Sequence, residues 1–278
     1  MNSKTINIKR QLLSLDEPQV MGILNVTPDS FYAGSRKQTE AAIIDRIETI
    51  LREGASIIDV GGYSSRPDAA EVSETEEMQR LEMALQPLLQ HYPDVVVSVD
   101  TFRSSVARQC VEKYGVAMIN DISGGELDER MFDTVAQLRV PYIMMHMRGT
   151  PQTMQQQTDY EDVTADLLKY FSQKLERLFR LGVNDVILDP GFGFSKTLTQ
   201  NYELMRHLGD FRIFGLPLLV GVSRKSMIYK LLETTPEESL NGTTVLHTYA
   251  LLQGADILRV HDVRAAKEAI RIVQQLKG

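Results

Sequence analysis

The stretch VVVSVDT, Val95–Thr101, decides how this chain is read. Its apolar residues stand at successive positions rather than at alternate ones. That pattern predicts a strand covered on both faces, as in a parallel sheet flanked by helices. The run then ends on a carboxylate, Asp100. Burying an unpaired carboxylate costs several kcal/mol, so Asp100 needs a partner, supplied by the protein or by a ligand.

Seven more segments share the short, β-branched, nearly continuous apolar character: QVMGILNV, SIIDVGG, VAMIND, PYIMMH, DVILDP, LPLLVGVS and DILRVHD. Between them lie stretches with helical spacing, such as EAAIIDRIETILREG, ETEEMQRLEMALQPLLQ, DLLKYFSQKLERLFRLG and VRAAKEAIRIVQQL. Gly54, Gly115 and Gly182 stand where helix stops belong. Eight strand–helix units predict an α/β fold of the (β/α)8 TIM-barrel kind. A doubly wound open sheet would read similarly unit by unit. The count, and the lack of a Gly-rich dinucleotide fingerprint after the first strand, favour the barrel. With no linker or composition break, residues 1–278 read as a single domain, its core at about 20–276. The segment before Val20 is expected to form a short hairpin or strand that closes the barrel floor.

A net charge of -7 argues against broad attraction to nucleic acid or to an anionic membrane, so any anion site must be local. The one cysteine, Cys110, excludes an internal disulfide framework and fits a reducing compartment. Its setting in SSVARQCVEKYG suits packing on a helix face. No run is long enough to span a bilayer, and the N-terminus lacks the apolar core of a signal peptide, so the expectation is a soluble, cytoplasmic protein.

The polar residues carry the functional signal. The strands finish with Asn25, Gly61–Gly62, Asp100, Asn120–Asp121, His146, Asp189, Ser223 to Lys225, and Arg259 with His261. In a barrel these ends converge on the face that holds active sites. One buried Asp at a strand end is usually a helix cap, but caps alone do not call for Asn, Asp, Lys, Arg and His together. Arg259 and His261 lie two apart on one strand and point the same way, which suits an anion near the last two strands. The plainer reading of Arg259 is an ion pair with Asp256 or Asp262. Amides around Ser226, where VSRKSMI opens a helix, could take a carboxylate or phosphate. Asp100, Asn120 and Asp189, with Lys225 nearby, suit a flat heterocycle with amino and ring N–H donors, such as a pterin or a guanine edge. Metal chelation is the weaker reading, because these residues come singly from separate strands without clustered His or Glu. His146 reads as structural packing.

The segments MGILNVTPDSF, GGYSSRP, VSVDTFRSSVA, MINDISGG, MHMRGTPQTMQ, ILDPGFGFSKT, LLVGVSRKSMI and ILRVHDV together resemble the dihydropteroate synthase family, from about Val20 to near the C-terminus. The resemblance implies condensation of 7,8-dihydropterin-6-ylmethyl diphosphate with p-aminobenzoate, with release of pyrophosphate. It implies that Asp100, Asn120, Asp189 and Lys225 bind the pterin, and that Asn25, Ser65, Arg66, Arg259 and His261 hold the pyrophosphate. Ser65, Arg66, Phe194, Ser223, Lys225 and Ser226 would form the p-aminobenzoate side. Asp100, Lys225, Arg259 and His261 carry the catalytic expectation, with Asn25 reaching a Mg2+ cofactor on the leaving group. It also implies a homodimer built through helices late in the barrel. Two positions depart from the family pattern: Ala33 replaces an Asp of the first loop, and Tyr63 replaces a Glu of the second. Two rivals share the pterin floor. One is a methyltetrahydrofolate–corrinoid methyltransferase, which would not need SRKS beside an Arg–x–His clamp. The other is a catalytically silent pterin-binding paralogue, which the two departures alone would support.

Overall fold

The computed structural model describes residues 4–26, 36–64 and 71–277. Eight parallel strands form the barrel: β3 (Gln19–Asn25), β4 (Ile57–Gly61), β5 (Val96–Asp100), β6 (Met118–Asp121), β7 (Tyr142–Met145), β8 (Val186–Asp189), β9 (Leu219–Val220) and β10 (Ile257–Val260). Their order is β8-β7-β6-β5-β4-β3-β10-β9, and a parallel bridge between Leu188 and Leu218 brings the two ends together. The chain thus folds as the expected (β/α)8 barrel. The seventh barrel strand is shorter than LPLLVGVS suggests, because Gly221 to Ser223 leave the ladder to build the site described below.

Helices α1 (Arg36–Arg52), α2 (Glu74–His91), α3 (Ser104–Tyr114), α4 (Met131–Leu138), α5 (Val163–Arg180), α6 (Leu198–Arg206), α7 (Ser226–Tyr229), α8 (Leu240–Leu252) and α9 (Val263–Lys277) follow the strands. Local chemistry starts and stops them. Ser73 and Asp162 accept backbone N–H groups at the starts of α2 and α5, satisfying donors the first turn leaves free. Gly115 ends α3 at a φ of 64°. Along α5, Leu167, Phe171, Leu175 and Leu178 repeat at helical spacing and are buried against the barrel.

The strand runs are continuous because both faces are buried, in two different cores. Ile58, Val60, Val97, Val99, Ile119, Leu188, Leu258 and Val260 face the helices. Ile57, Met118, Ile143, Ile187, Leu219 and Ile257 fill the barrel interior at its floor. A hairpin of β1 (Thr5–Ile8) and β2 (Gln11–Ser14) closes that floor, inserting Ile6 and Ile8 into the same cluster, followed by Leu15. Each such side chain contributes roughly 1.5–3 kcal/mol when fully buried. Two residues further along each strand the side chain again points inward. There the interior becomes polar, with Asp59, Ser98, Asn120, Asp189 and Arg259.

Candidate active site

The polar layer is built around Arg259. From β10 its Nε donates to Asp59 Oδ2 at 2.7 Å, and its Nη2 donates to Asp100 Oδ2 at 2.8 Å. The Asn120 amide donates to the same Asp59 oxygen at 3.0 Å. Asp59 is fully buried, and its Oδ1 has no hydrogen-bond partner among the described residues. This corrects the ion-pair reading of Arg259. Asp256 pairs with Lys4, and Asp262 pairs with Arg224, so neither is available to it. The partner that Asp100 requires is therefore supplied in part by the protein itself.

Electrostatics here are tight. Burial pushes the Asp100 carboxyl up to about 7; Arg259 opposes that rise, while the charges of Asp59, Glu77 and Asp121 reinforce it. Burial works against the Arg259 charge, but Asp59 and Asp100 hold the guanidinium firmly protonated. Asp189, at the end of β8, is also raised by burial, with Lys225 and the Gly191 N–H (2.8 Å) pulling the other way. Of the Asn120–Asp121 pair, only Asn120 joins the cluster. Asp121 faces the helix layer, where Tyr142, Ser123 and the Gly125 N–H satisfy it, which is the structural role usual for a strand-end Asp.

Lys225 enters from the loop after β9. Its Nζ donates to the Phe192 carbonyl at 2.6 Å and lies 4.7 Å from the centroid of the Phe194 ring. Burial lowers its ammonium to about 8, with Asp189 opposing. The preceding residue shows how it is aimed. Arg224 adopts a left-handed φ of 54°, which costs a non-glycine residue roughly 1–2 kcal/mol. A two-pronged pair with Asp262, at 2.8 and 2.9 Å, and a 2.8 Å bond to the Pro236 carbonyl hold that geometry. Ser226 then begins the short helix α7.

At the end of β10, Ser223 Oγ accepts the His261 N–H at 3.1 Å and lies 3.0 Å from His261 Nδ1. Burial first, then the charge of Arg259, lowers His261 to about 4, so at pH 7 the imidazole is neutral. Asn25 ends β3 opposite Gly61 and is exposed at the mouth. A Cβ at Gly61 would sit 3.2 Å from Asn25 Oδ1 and 3.7 Å from Asp100 Cβ, so glycine keeps the gap between them open.

The structure thus brings together Asp100, Asn120, Asp189, Lys225 and Arg259, with Ser223, His261, Ser226, Phe194 and Asn25 around the rim. Ser65, Arg66 and Ala33 lie outside the described residues. Asp59 is a member that the reading of strand ends misses, because it lies mid-strand. Its signal is a carboxylate inside the apolar run IIDVG, one inward position below Gly61. A buried pair behind the site is also new: Lys196 Nζ contacts His146 Nδ1 (3.1 Å) and donates to the carbonyls of Gly191 (3.0 Å) and Phe194 (2.9 Å). Burial drives both groups toward neutrality, and His146 packs edge-on against Tyr170. A cavity of about 630 Å³ lined by Glu126, His146, Arg148, Asp166, Lys169 and Tyr170 lies to one side and shares no residue with the carboxylate cluster.

A barrel whose mouth sets buried acceptors and two cations under a rim of small donors defines a class: enzymes that seat a donor-rich heterocycle beside an anionic group. The model of the family described as pterin binding enzyme matches residues 21–261. The dihydropteroate synthase of Escherichia coli K12 is 44% identical over 264 residues, covering 94% of this chain and 93% of that protein. Two solved structures superpose with TM-scores of 0.90: the Yersinia pestis dihydropteroate synthase in a sulfonamide drug complex (40% identity, 99% of both chains) and the Xanthomonas albilineans dihydropteroate synthase with 4-aminobenzoic acid (35% identity, 100% and 99% of the chains). The chain belongs to the pterin-binding enzymes and, among them, to the dihydropteroate synthase family.

Proposed function

We propose that this protein condenses 7,8-dihydropterin-6-ylmethyl diphosphate with p-aminobenzoate to give 7,8-dihydropteroate and pyrophosphate. The observation that carries the reading is the acceptor set of buried Asp59, Asn120 and Asp189 and half-buried Asp100 around Arg259, inside a chain of this family. Adjacent N–H donors of a pterin suit Asp100 and Asp189, and its ring carbonyl suits Lys225. The unpartnered Asp59 Oδ1 marks the floor as short of donors.

In the reaction the aniline nitrogen bonds the pterin methylene carbon, the C–O bond breaks with its electron pair leaving on pyrophosphate, and one N–H proton is released. The amine is neutral at pH 7, so no strong base is needed, and charge on the leaving group is the main barrier. His261 is neutral at the rim, and would offer Nε2–H to the leaving group when Ser223 donates to its Nδ1. Arg259 balances the floor carboxylates, whose negative charge favours an electron-poor pterin and hence dissociative, SN1-like character. Phe194, Ser223, Lys225 and Ser226, with Ser65 and Arg66, are assigned to p-aminobenzoate, and Asn25, Ser65, Arg66, Arg259 and His261 to pyrophosphate.

Mg2+ fits as a companion of the diphosphate rather than as a resident ion. Among the described residues no group of three or more His, Cys, Asp or Glu could hold a cation. Asn25 offers a single exposed oxygen at the mouth, enough for an ion that keeps waters and phosphate oxygens as its main ligands. When bound there, Mg2+ would neutralise charge on the diphosphate. Helices late in the barrel support a homodimer, as argued below. No described helix is long and apolar enough to cross a membrane, and a single buried cysteine suits the cytoplasm.

The test is pyrophosphate release by purified protein given pterin diphosphate, Mg2+ and p-aminobenzoate, with each omitted in turn. Release that depends on all three, with dihydropteroate formed in equal amount, is expected. Pterin diphosphate binding without product would instead identify a silent binder.

A further inference from the structure

The loop between β8 and α6, residues 190–197, is held by two lysines. On the side of the site, the Phe192 carbonyl accepts from Lys225 Nζ at 2.6 Å, and the Phe194 ring centroid lies 4.7 Å from the same nitrogen. Behind the site, the Lys196 side chain folds back beneath its own loop. Its Nζ donates to the Gly191 carbonyl at 3.0 Å and to the Phe194 carbonyl at 2.9 Å, and it meets His146 Nδ1 at 3.1 Å. One lysine thus ties the carbonyls of residues 191 and 194, and the other ties a carbonyl between them.

The loop is shaped for this contact. Gly191, at a φ of 70°, presses on the end of β7, where a Cβ would meet the His146 carbonyl at 2.1 Å. The Gly193 N–H donates to Asn201 Oδ1 at 2.6 Å, and the Asn201 amide donates to the Lys196 carbonyl at 3.2 Å. Ser195 Oγ accepts the Arg148 N–H at 3.0 Å. Lys196 is 4% exposed and His146 2%, and none of the three groups bonded to the amine is a carboxylate. Burying such a group is costly, and a methionine would fill the space without that cost. What lysine adds is three hydrogen-bonding contacts. Either protonation state satisfies them: an ammonium donates all three, and an amine donates to the two carbonyls and accepts from Nδ1–H.

We infer that Lys196, backed by His146, is a positioning residue that clamps residues 190–195 from behind and so fixes the Phe192 carbonyl and the Phe194 ring against Lys225. The inference rests on the function proposed above, in which Phe194 and Lys225 serve p-aminobenzoate and Lys225 also meets the pterin carbonyl. Lys196 acts through Lys225. The charged groups facing Lys225 are Asp189, Arg259 and Asp100, and those facing Lys196 are Asp189, Lys225 and Arg148. A loosened loop would admit water to Lys225 and relieve the burial that lowers its ammonium to about 8. Loss of the neighbouring amine, which repels Lys225 when charged, acts in the same direction.

Lys196→Met, His146→Leu and His146→Asn test this, the asparagine offering an acceptor where Nδ1 stands. Lys196→Met is expected to raise KM for p-aminobenzoate about 5- to 50-fold, the scale of two hydrogen bonds. KM for pterin diphosphate at pH 7 should change little, because Lys225 is charged there in either protein. The alkaline limb of 6-hydroxymethyl-7,8-dihydropterin binding should move from near pH 8 to higher pH by at least about half a unit. His146→Leu should shift both readouts the same way, and His146→Asn should restore them. Lys196→Met/His146→Leu should be no worse than Lys196→Met, because their shared contact is already gone. An alkaline limb that stays near pH 8 overturns the clamp. So does a parallel rise in both KM values with a lower melting temperature, the mark of a purely structural lysine. Should Lys196→Met fail to fold, His146→Leu against His146→Asn carries the same readouts. A wild-type protein that forms no product rejects the functional reading instead. Hydrogen exchange then decides the clamp by itself. The bonded N–H groups of Gly191, Gly193 and Phe194 should exchange faster in Lys196→Met, those of β7 and β8 should not, and equal loop rates reject it.

Discussion

At the scale of single residues, the protonation of the floor governs when a pterin can bind. Asp100 titrates near 7 rather than near 3.8, and Lys225 near 8 rather than near 10.5, both chiefly through burial. The raised carboxylate costs stability as pH climbs from about 4 to about 7, since the unfolded chain gives up this proton first. A ring with N–H donors prefers the ionised carboxylate, and a ring carbonyl prefers the protonated lysine. Affinity should therefore peak between these two values, weakening toward tenfold per pH unit below about 7 and again above about 8. Binding of 6-hydroxymethyl-7,8-dihydropterin, which carries no titrating phosphate, measures this directly between pH 5.5 and 9.5. Asp100→Asn should flatten the acid limb and Lys225→Met the alkaline one. An acid limb that survives in Asp100→Asn would assign it to Asp189, the other floor carboxyl that burial raises. The residues in this cluster were largely legible from sequence because a barrel projects every strand end onto one face. Asp59 was not, since it lies a full inward step below the rim, and the pairing of Arg259 was not, since its partners lie 159 and 200 residues away.

At the scale of elements, the strands and helices were legible because two-sided burial leaves continuous apolar runs and the helices carry their own caps. Less visible was the form of the N-terminal floor. The turn between β1 and β2 is Lys9–Arg10, with φ values of 49° and 70°. A two-residue hairpin loop with both residues left-handed favours Asn-Gly, which tolerates that region, over two long side chains that do not. Lys9→Asn/Arg10→Gly should thus stabilise the protein by about 1 kcal/mol and raise its melting temperature by about 2–4 °C. Turnover should be unchanged, because the floor lies at the opposite end of the barrel from Asp100. Calorimetry on both proteins checks this. A lower melting temperature would show that Lys9 and Arg10 contribute contacts worth more than the strain. The same physics runs the other way at Arg224, whose strained backbone is held by Asp262 and aims Lys225. Glycine there should not help, because it discards the clamp.

At the scale of the whole molecule, the outer ring is uneven. Helix α8, LNGTTVLHTYALL, has no charged residue although it lies on the outside of the barrel. A helix apolar on both faces is normally covered on both. Its outward stripe holds Val245 (60% exposed), Tyr249 and Leu252, at helical spacing. Beside it, α9 presents Ile272 and Leu276, 61% and 70% exposed. Leu231 and Leu232, just after α7, are also exposed apolar residues, and Leu232 lies beside Gly242 of α8. A second copy of the chain is the occupant this surface fits: two-fold symmetry would lay each uncharged α8 against its counterpart, and a stable dimer needs about 800 Å² from each partner. Sedimentation at micromolar concentration should give twice the chain mass. Val245→Asp, which would set like charges in a dry interface, should shift the protein toward monomer by at least tenfold in dissociation constant. Arg259, Lys225 and every described member of the carboxylate cluster come from one barrel, so the separated monomer should still bind pterin with unchanged affinity. A wild-type protein that sediments as a monomer would sink the dimer, and α8 would then need another partner to explain why its exposed face carries no charge.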